Sequence, residues 1–352
     1  MCSLVYYHSK MAMDQLPREI RTLLQPDIHS DHIIKTTALM PIPTHPDDVL
    51  VRVYACSPCA GELRWAADYP QNIPRDRIPV PVQDLAGKIV IAPEGSGFNA
   101  GDRVFGRLGA ARPGAGRDYT LARVGELAKI PDGIDWVSAA AVPMSALTAW
   151  QGLFVQGTLE AAGIDDAAAR ERNSRKRVLI TAAGGGVGSW ALQLARLAGV
   201  GGIVAVAGPT KGDLVRERGA TEVVDYSKAT IEEWVAQDPA VREVDLVFDG
   251  VGGKTLAGCW AAVKEGGAIV GINTAPAAVK PAGLKKQVAK DLFFIVKSQD
   301  SNLADIAELV NAGKLKPVID SVYDFDDFEK AFAVVQDGHA TGKVVIKVSP
   351  DV

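Results

Sequence analysis

A glycine-rich run at 182–188 carries the clearest chemical signal in the sequence. It reads Ala-Ala-Gly-Gly-Gly-Val-Gly, follows an apolar run at 177–181 and precedes a helical pattern that begins near Ser189. Glycine lets a chain turn with positive φ and lets a phosphate approach the backbone, and free N–H groups at a helix N-terminus bind anions. The spacing therefore predicts a site for a dinucleotide pyrophosphate, although Ala183 stands where the usual fingerprint has its first glycine. The predicted contacts are Gly185, Gly186, Val187 and Gly188.

The next apolar run, at 203–207, indicates which nicotinamide cofactor this loop would bind. It ends without the acidic residue that usually holds the ribose hydroxyls of NAD. A carboxylate there would repel a 2′-phosphate, whereas Lys211 would attract one. Tyr226, which ends the following strand, could stack on adenine or donate a hydrogen bond to the phosphate. These features predict NADPH, with contacts from Gly208, Thr210, Lys211 and Tyr226.

Two kinds of element must position these residues. From 177 to about 271, buried apolar strands alternate with helices, which predicts a parallel, doubly wound sheet. From about 39 to 130, short β-rich runs with period-2 alternation are separated by Pro and Gly, which predicts an antiparallel, barrel-like domain. A chain of 352 residues suits two such domains.

Composition excludes several classes of function. The net charge is −4 and no Lys/Arg cluster is present, which argues against a nucleic-acid partner. No apolar run approaches the roughly 18 residues that span a bilayer, so no membrane partner is expected. The four cysteines are too scattered for a disulfide framework, and no secretory signal is visible. We therefore expect a reduced, cytoplasmic setting. The cysteines are Cys2, Cys56, Cys59 and Cys259.

Motifs along nearly the whole chain resemble those of one family, in the same order. They are AGDRVFG (100–106), LAKIPDGIDWVSAAAVPMSALTAWQGL (127–153), AAGGGVG (182–188), RGATEVVDY (218–226), FDGVGG (248–253) and GKLKPVID…GHATGKVVIKV (313–348). The sequence resembles the zinc-independent medium-chain dehydrogenase/reductases, in the branch of quinone oxidoreductases and enoyl reductases.

This resemblance implies an α/β fold with two domains and an active site in the cleft between them. A GroES-like β-barrel catalytic domain would comprise 1–145 and 300–352, and a Rossmann dinucleotide-binding domain with a doubly wound parallel sheet would comprise 146–299. Members commonly form homodimers or homotetramers, so a homo-oligomer is expected, with a monomer left open.

The resemblance also implies further site residues. Thr148 matches a residue that touches the cofactor in related reductases, and two short stretches match other cofactor contacts. Tyr69 lies near the position of a proton-donating tyrosine in some enoyl reductases, although the match needs a shift of one residue; an ordinary packing or pocket tyrosine is the alternative. The implied cofactor contacts are Gly250, Gly271, Ile272, Asn273, Gly342, Lys343 and Val344.

A zinc site is not expected. Zinc-dependent relatives use a Cys, a His-Glu pair and a further Cys or Asp. Here Cys59 falls near the first position, but Gln83-Asp84 replaces the pair, and the four cysteines of the structural zinc lobe are absent from 106–118. One cysteine without its partners does not hold zinc, which needs about three or four protein ligands.

The leading functional prediction is an NADPH-dependent, zinc-free reductase that transfers hydride to an activated C=C bond, as in an enone or enoyl thioester, or to a quinone. Two alternatives stay open. The same scaffold could guide a cyclisation or isomerisation of a small-molecule substrate in a biosynthetic pathway, with or without hydride transfer. It could also bind the cofactor without turnover.

Overall fold

The computed structural model describes residues 15–350, so Cys2 and the first 14 residues of the predicted catalytic domain lie outside the described residues. The described chain divides into two compact units. The first unit comprises 15–144, 297–313 and 319–350, and the second comprises 145–296 with the short return 314–318. Whether each unit also folds by itself, as the predicted domain division implies, stays a prediction.

Fifteen strands form three sheets in the part of the chain that the structure describes. They are β1 (Glu19–Leu24), β2 (Ile34–Leu39), β3 (Asp48–Ser57), β4 (Asp84–Ile91), β5 (Arg103–Arg107), β6 (Tyr119–Arg123), β7 (Leu127–Lys129), β8 (Arg177–Ile180), β9 (Gly202–Ala207), β10 (Glu222–Asp225), β11 (Val244–Asp249), β12 (Val263–Gly271), β13 (Lys290–Phe293), β14 (Ile319–Asp324) and β15 (Lys343–Lys347).

The α-helices of the described residues are mostly short. They are α1 (Trp65–Asp68), α2 (Trp136–Ala140), α3 (Pro143–Trp150), α4 (Ala167–Ser174), α5 (Gly186–Leu197), α6 (Gly212–Glu217), α7 (Ile231–Ala236), α8 (Pro239–Arg242), α9 (Gly253–Ala262), α10 (Asp300–Asn311) and α11 (Phe328–Gln336). No helix between residues 15 and 350 is long and apolar enough to cross a membrane.

The second unit contains a six-stranded sheet in which every pairing is parallel. Its strand order is β10-β9-β8-β11-β12-β13, so the order along the sheet reverses between β8 and β11. This is the doubly wound order of dinucleotide-binding domains, in which ligands bind at the carboxyl ends of the strands beside the reversal. The alternation of apolar strands and helices predicted this architecture, and the structure confirms it.

The first unit contains a seven-stranded sheet whose pairings are antiparallel apart from β14 with β15. The order is β14-β15-β3-β4-β5-β7, with β6 on β3. The last strand of the chain therefore pairs with β3, which joins the C-terminal return to the N-terminal part. Side chains from both ends of the chain share one core, for example Val53 and Ile346, both fully buried. The predicted α/β class is confirmed.

Candidate functional site

The glycine loop lies between β8 and α5, as predicted. Gly185 is the N-cap of α5, and its N–H donates to the carbonyl of Ala182 at 2.9 Å, which closes the turn. The residue with positive φ is Ala182, at +48°, so the left-handed turn precedes the position that Ala183 fills in the fingerprint. A side chain at Gly188 would place its Cβ 2.3 Å from the carbonyl oxygen of Ala182. Gly188 is therefore required for α5 to pack on this turn.

Lys211 and Tyr226, the two side chains predicted to contact the 2′-phosphate, lie beside glycines that follow β8 and β9. A Cβ on Gly184 would lie 2.5 Å from Cδ of Lys211, so the lysine stem crosses this part of the loop. A Cβ on Gly208 would lie 2.9 Å from the hydroxyl oxygen of Tyr226, whose side chain is largely exposed. The structure thus brings a cation and an exposed phenol to the carboxyl end of β9, next to the pyrophosphate loop. Thr210, also predicted there, is exposed.

Acidic groups near this end of the sheet are already paired. Asp225 aligns with Ala207 in the parallel register of β10 and β9. Its carboxylate accepts hydrogen bonds from Ser227 and forms an ion pair with Lys228 at 3.3 Å. The hydrogen bonds from Ser227, aided by Lys228, lower the pKa of Asp225. Asp213, in the first turn of α6, is fully exposed and lies 3.7 Å from Arg216.

A network of side-chain hydrogen bonds holds the loop that follows β11. The hydroxyl of Thr181 donates to Oδ1 of the fully buried Asp249 at 2.6 Å, and it accepts from the Gly250 N–H at 2.9 Å. Oδ2 of Asp249 accepts from the Gly252 N–H at 2.7 Å. Burial raises the pKa of Asp249, and the hydrogen bonds from Thr181 and Gly252 act against that rise. Neither Thr181 nor Asp249 is among the site residues expected from the sequence.

The residues predicted at the end of β12 lie beside this loop. Asn273 donates from its side-chain amide to the carbonyl of Val251 at 2.8 Å, and the Ile272 N–H donates to the carbonyl of Asp249 at 3.0 Å. A Cβ built on Gly250 would make only ordinary van der Waals contacts, the nearest to Cδ1 of Ile272 at 3.7 Å. Gly250 directly follows β11, at the carboxyl ends of the central strands, and its position has room for a small side chain.

Thr148 lies on α3 in the second unit and is buried, with 5% of its surface exposed. The π-helical turn 151–155 that follows α3 packs tightly on β11, since a Cβ on Gly152 would lie 2.4 Å from the ring of Phe248. Tyr69 lies in the first unit, where it follows α1 and is half-buried. The predicted roles of Thr148 and Tyr69 stay predictions.

Lys343 lies in a buried polar cluster of the first unit, which we call the Lys343 cluster and define as Lys343, Asp84, Glu62 and Cys59. The ammonium of Lys343 is 3.2 Å from Oδ2 of Asp84 and donates to the carbonyl of Pro58 at 3.2 Å. Burial works to lower the pKa of Lys343, but the charge of Asp84 and its other neighbours outweighs burial and raises it. The predicted cofactor contact of Lys343 stays a prediction, although its ammonium already has two protein partners. Neighbouring Gly342 and Val344 are also buried.

Glu62 is the member of this cluster that the sequence analysis did not identify. It is 8% exposed, and its Oε1 accepts from the Val82 N–H at 3.1 Å, while Oε2 has no hydrogen-bond partner. Burial raises the pKa of Glu62 to about 8, against the opposing charge of Lys343. Val82 has φ +73°, an uncommon conformation for a β-branched residue. The contact between Glu62 and Val82 joins two segments that are distant in sequence, so no local pattern reveals it.

Comparison with known proteins gives the family. A family model described as the alcohol dehydrogenase GroES-like domain matches residues 45–132, and one described as zinc-binding dehydrogenase matches 218–346. A relative from Arthroderma benhamiae, named a probable mitochondrial zinc-binding oxidoreductase, is 38% identical over 96% of this chain and 99% of its own. The chain belongs to the medium-chain dehydrogenase/reductase family of oxidoreductases.

Further relatives agree with this family and with a nicotinamide cofactor. A human protein named a mitochondrial NAD(P)H oxidoreductase is 29% identical over 88% of this chain and 84% of its own. The solved structure of a quinone oxidoreductase from Coxiella burnetii has the same fold, with a TM-score of 0.77 at 22% identity, covering 94% of this chain and all of that one. As a medium-chain oxidoreductase, this chain has a nicotinamide nucleotide as its implied cofactor, and the glycine loop has the backbone to hold it.

The comparisons correct the expected cytoplasmic location. The two relatives just described are named mitochondrial, so the prediction of a cytoplasmic protein is wrong. It rested on few cysteines and on the absence of a secretory signal. Neither observation distinguishes the cytosol from the interior of an organelle, because scattered cysteines indicate only that disulfides are not needed.

The side chains present do not fit the zinc that the family model's description implies. Within residues 15–350, no group of three or more His, Cys, Asp or Glu side chains could hold a metal ion. Burial raises the pKa of Cys59 to about 11, which disfavours the thiolate that zinc binds. The ammonium of Lys343, 3.2 Å from Asp84, also brings a positive charge to the carboxylate beside Cys59.

Proposed function

We propose that this oxidoreductase uses NADPH, without a metal, to reduce an activated C=C bond in an enone or enoyl thioester, or a quinone. The observation that carries the proposal is the pairing of Lys211 and Tyr226 with the glycines at the ends of β8 and β9, where no acidic residue ends β9. A 2′-phosphate distinguishes NADPH from NADH, and a lysine and a phenol are groups that bind it.

Charge explains why this arrangement favours NADPH. A free carboxylate at the end of β9 would hydrogen bond to the ribose hydroxyls of NADH and repel the extra phosphate of NADPH. The nearby Asp225 does not play that part, because its carboxylate is held by Ser227 and Lys228. The side chains of Lys211 and Tyr226 would then bind the phosphate together, while Gly185 to Gly188 and the N-terminus of α5 would bind the pyrophosphate.

The proposed chemistry follows from the bound nucleotide and the residues around it. Bound NADPH would supply a hydride for the β-carbon of the alkene, and the π electrons would then move to the carbonyl oxygen. A proton then adds to the α-carbon, and we assign its delivery to Tyr69 or a water. Thr148 would orient the nicotinamide ring. A quinone takes one hydride and one proton to give the hydroquinone.

The Lys343 cluster supports a reaction without metal. Lys343 and Asp84 pair their charges inside the first unit, and Gln83 stands where zinc-dependent relatives have a ligating histidine. Reduction of a conjugated alkene needs less activation of the carbonyl than alcohol oxidation does, because the alkene itself accepts the hydride. Dialysis against a chelator is therefore expected to leave turnover unchanged.

The test is NADPH consumption against quinones, enones, enoyl thioesters and simple aldehydes, with NADH as the paired cofactor. We expect turnover of at least one enone, enoyl thioester or quinone, faster with NADPH. Tyr69→Phe should lower the rate with enones if Tyr69 delivers the proton. Tight NADPH binding without consumption of any of these substrates would overturn the reductase assignment.

Lys211→Met tests the cofactor preference directly. Loss of a charge-assisted contact is expected to raise the Kd for NADPH by about 10- to 100-fold. The Kd for NADH should change by less than about threefold, because NADH has no 2′-phosphate. Lys285→Met, at an exposed lysine of the same unit, is the control and should bind both nucleotides as the wild type does. Equal losses for NADPH and NADH in Lys211→Met would contradict the assigned role.

A further inference from the structure

We propose that Thr181, Asp249 and Asn273 form a brace that holds loop 250–253 in the conformation that binds the nicotinamide nucleotide. The brace is defined as these three side chains, which lie at the carboxyl ends of β8, β11 and β12. They act as positioning residues, and the proposal rests on the nucleotide site described under the proposed function. The direct cofactor contact that the resemblance implied for Asn273 stays a prediction beside this role.

Each brace residue binds a different main-chain group of the loop. Thr181 accepts from the Gly250 N–H at 2.9 Å, Asp249 accepts from the Gly252 N–H at 2.7 Å, and Asn273 donates to the Val251 carbonyl at 2.8 Å. Three successive residues of one loop are thus each fixed by a side chain from a different strand end.

The hydroxyl of Thr181 has a defined direction in this network. The hydroxyl proton of Thr181 points to Oδ1 of Asp249, which accepts it at 2.6 Å. The oxygen of the same hydroxyl then faces the Gly250 N–H as an acceptor. Thr181 and Asp249 are 2% and 0% exposed, so water does not readily replace either contact. Removing the hydroxyl leaves buried donors and acceptors without partners, which is costly.

The loop needs such support because of its sequence. Three of its four residues are glycine, and Gly252 and Gly253 have φ of +79° and +50°. Glycine loses more conformational freedom on ordering than any other residue. Without the brace, the loop would have to become ordered when the nucleotide binds, and this cost would make the free energy of binding less favourable. A pre-ordered loop binds its ligand more tightly with no added contact.

The position of the brace connects it to the ligand. Thr181 and Asp249 follow or end β8 and β11, the adjacent strands between which the sheet order reverses. Ligands of doubly wound sheets bind in the crevice at this reversal. Gly250 directly follows β11 at this reversal, and a Cβ on it would make only ordinary van der Waals contacts, the nearest at 3.7 Å. The brace therefore lies at the strand ends where the predicted crevice would be.

Thr181→Val is the principal test, because valine keeps the shape of threonine and lacks the hydroxyl. The Kd for NADPH is measured by tryptophan fluorescence on protein shown to be folded by urea unfolding. We expect the Kd to rise about tenfold, the scale of one lost buried hydrogen bond. Thr181→Ser restores the hydroxyl and should return the Kd to within about threefold of the wild type.

Thr221→Val is the matched control. Thr221 also hydrogen bonds to a strand of the same sheet, through the Ile203 N–H at 2.9 Å, but at the amino end of β9. Its loss should lower stability and leave the Kd for NADPH unchanged. Asn273→Ala provides a second test at an exposed position, where folding is not at risk. We expect it to weaken NADPH binding by about threefold, a smaller effect than that of Thr181→Val, because the hydrogen bond of Asn273 to Val251 is exposed to solvent.

Hydrogen exchange on the nucleotide-free protein separates a brace from a direct ligand contact. Thr181→Val and Asn273→Ala should both speed exchange of the Gly250 and Gly252 amides before any nucleotide is added. A folded Thr181→Val variant with unchanged exchange and unchanged Kd would overturn the brace and leave the proposed function standing. A wild-type protein that binds neither NADPH nor NADH would overturn both.

Discussion

Glu62 is a carboxyl group that the fold holds away from water without a full set of partners. Oε1 accepts from the Val82 N–H at 3.1 Å and Oε2 accepts from no donor, while the charges of Lys343 and Asp84 both act on the group. Burial raises its pKa from an ordinary 4.5 to about 8, although Lys343 opposes the rise. At neutral pH the group is therefore largely protonated in the folded protein and ionised in the unfolded chain.

This difference makes stability depend on pH. Between about pH 4.5 and pH 8 the unfolded chain has lost the proton that folded Glu62 keeps, so this group's contribution to stability falls as the pH rises. The slope for one proton is at most about 1.4 kcal/mol per pH unit, and it levels off above the folded pKa.

Glu62→Gln should flatten the dependence of stability on pH, measured by urea unfolding from about pH 5 to about pH 8. Glu329→Gln, at an exposed glutamate, is the control. An unchanged slope in Glu62→Gln would contradict the raised pKa.

Sequence patterns could identify side chains whose chemistry is marked by their neighbours in the chain. Lys211 and Tyr226 follow recognisable strand ends, and the structure places both beside glycines of those ends. Thr181 and Glu62 carry no such mark, and although Asp249 lies in the FDGVGG motif, the motif does not show what its carboxylate binds. Their partners come from other strands, and the pairing becomes visible only when the sheet order and register are known.

At the scale of elements, two glycines of the motif that joins β8 to α5, Gly185 and Gly188, have different surroundings. Gly188 lies against the backbone of the preceding turn, where a Cβ would be 2.3 Å from the Ala182 carbonyl oxygen. Gly185, with φ −87°, would bring its Cβ no closer than 3.3 Å to the same oxygen. Gly188 is thus needed for packing, whereas the approach of a phosphate remains the predicted role of Gly185.

Alanine substitutions should separate these two roles. Gly188→Ala is expected to lower the free energy of unfolding by about 3 kcal/mol, because the overlap is with backbone that cannot rotate away. Gly185→Ala should cost only about 1 kcal/mol, the scale of an unfavourable N-cap residue, yet weaken NADPH binding in the folded protein. Urea unfolding and nucleotide titration of both variants provide the measurements. Equal losses of stability would show that both glycines serve packing.

The order of strands and helices could be predicted from the sequence more readily than the backbone conformation of single residues. Buried strands alternating with helices fix a parallel sheet because few other folds cover both faces of such strands. The positive φ of Ala182 and Val82 could not be predicted, since neither residue type favours it. These conformations are imposed by tertiary contacts, such as the hydrogen bond from Val82 to Glu62.

At the scale of the whole molecule, the chain builds two units with separate cores. Buried side chains of β3, β4 and β15 form one core, and those of β9, β11 and β12 form another. Most of the predicted nucleotide contacts fall in the second unit, while Gly342, Lys343 and Val344 fall in the first. The predicted homo-oligomer stays a prediction, for which light scattering of the purified protein is the direct measurement.

The division into units predicts where bound nucleotide stabilises the protein. A ligand at about 100 times its Kd stabilises the native state that binds it by about 2.7 kcal/mol, which slows exchange about 100-fold for amides that exchange only on unfolding. With NADPH, the amides of β8, β11 and β12 should slow towards this limit. The hairpin of β1 and β2 contains no predicted nucleotide contact and is the internal control.

NADH at the same concentration should protect the amides of β8, β11 and β12 less, because it has no 2′-phosphate for Lys211 and Tyr226 to bind. Equal protection by NADPH and NADH would contradict the cofactor assignment, and slowing confined to the hairpin would place the nucleotide outside the second unit.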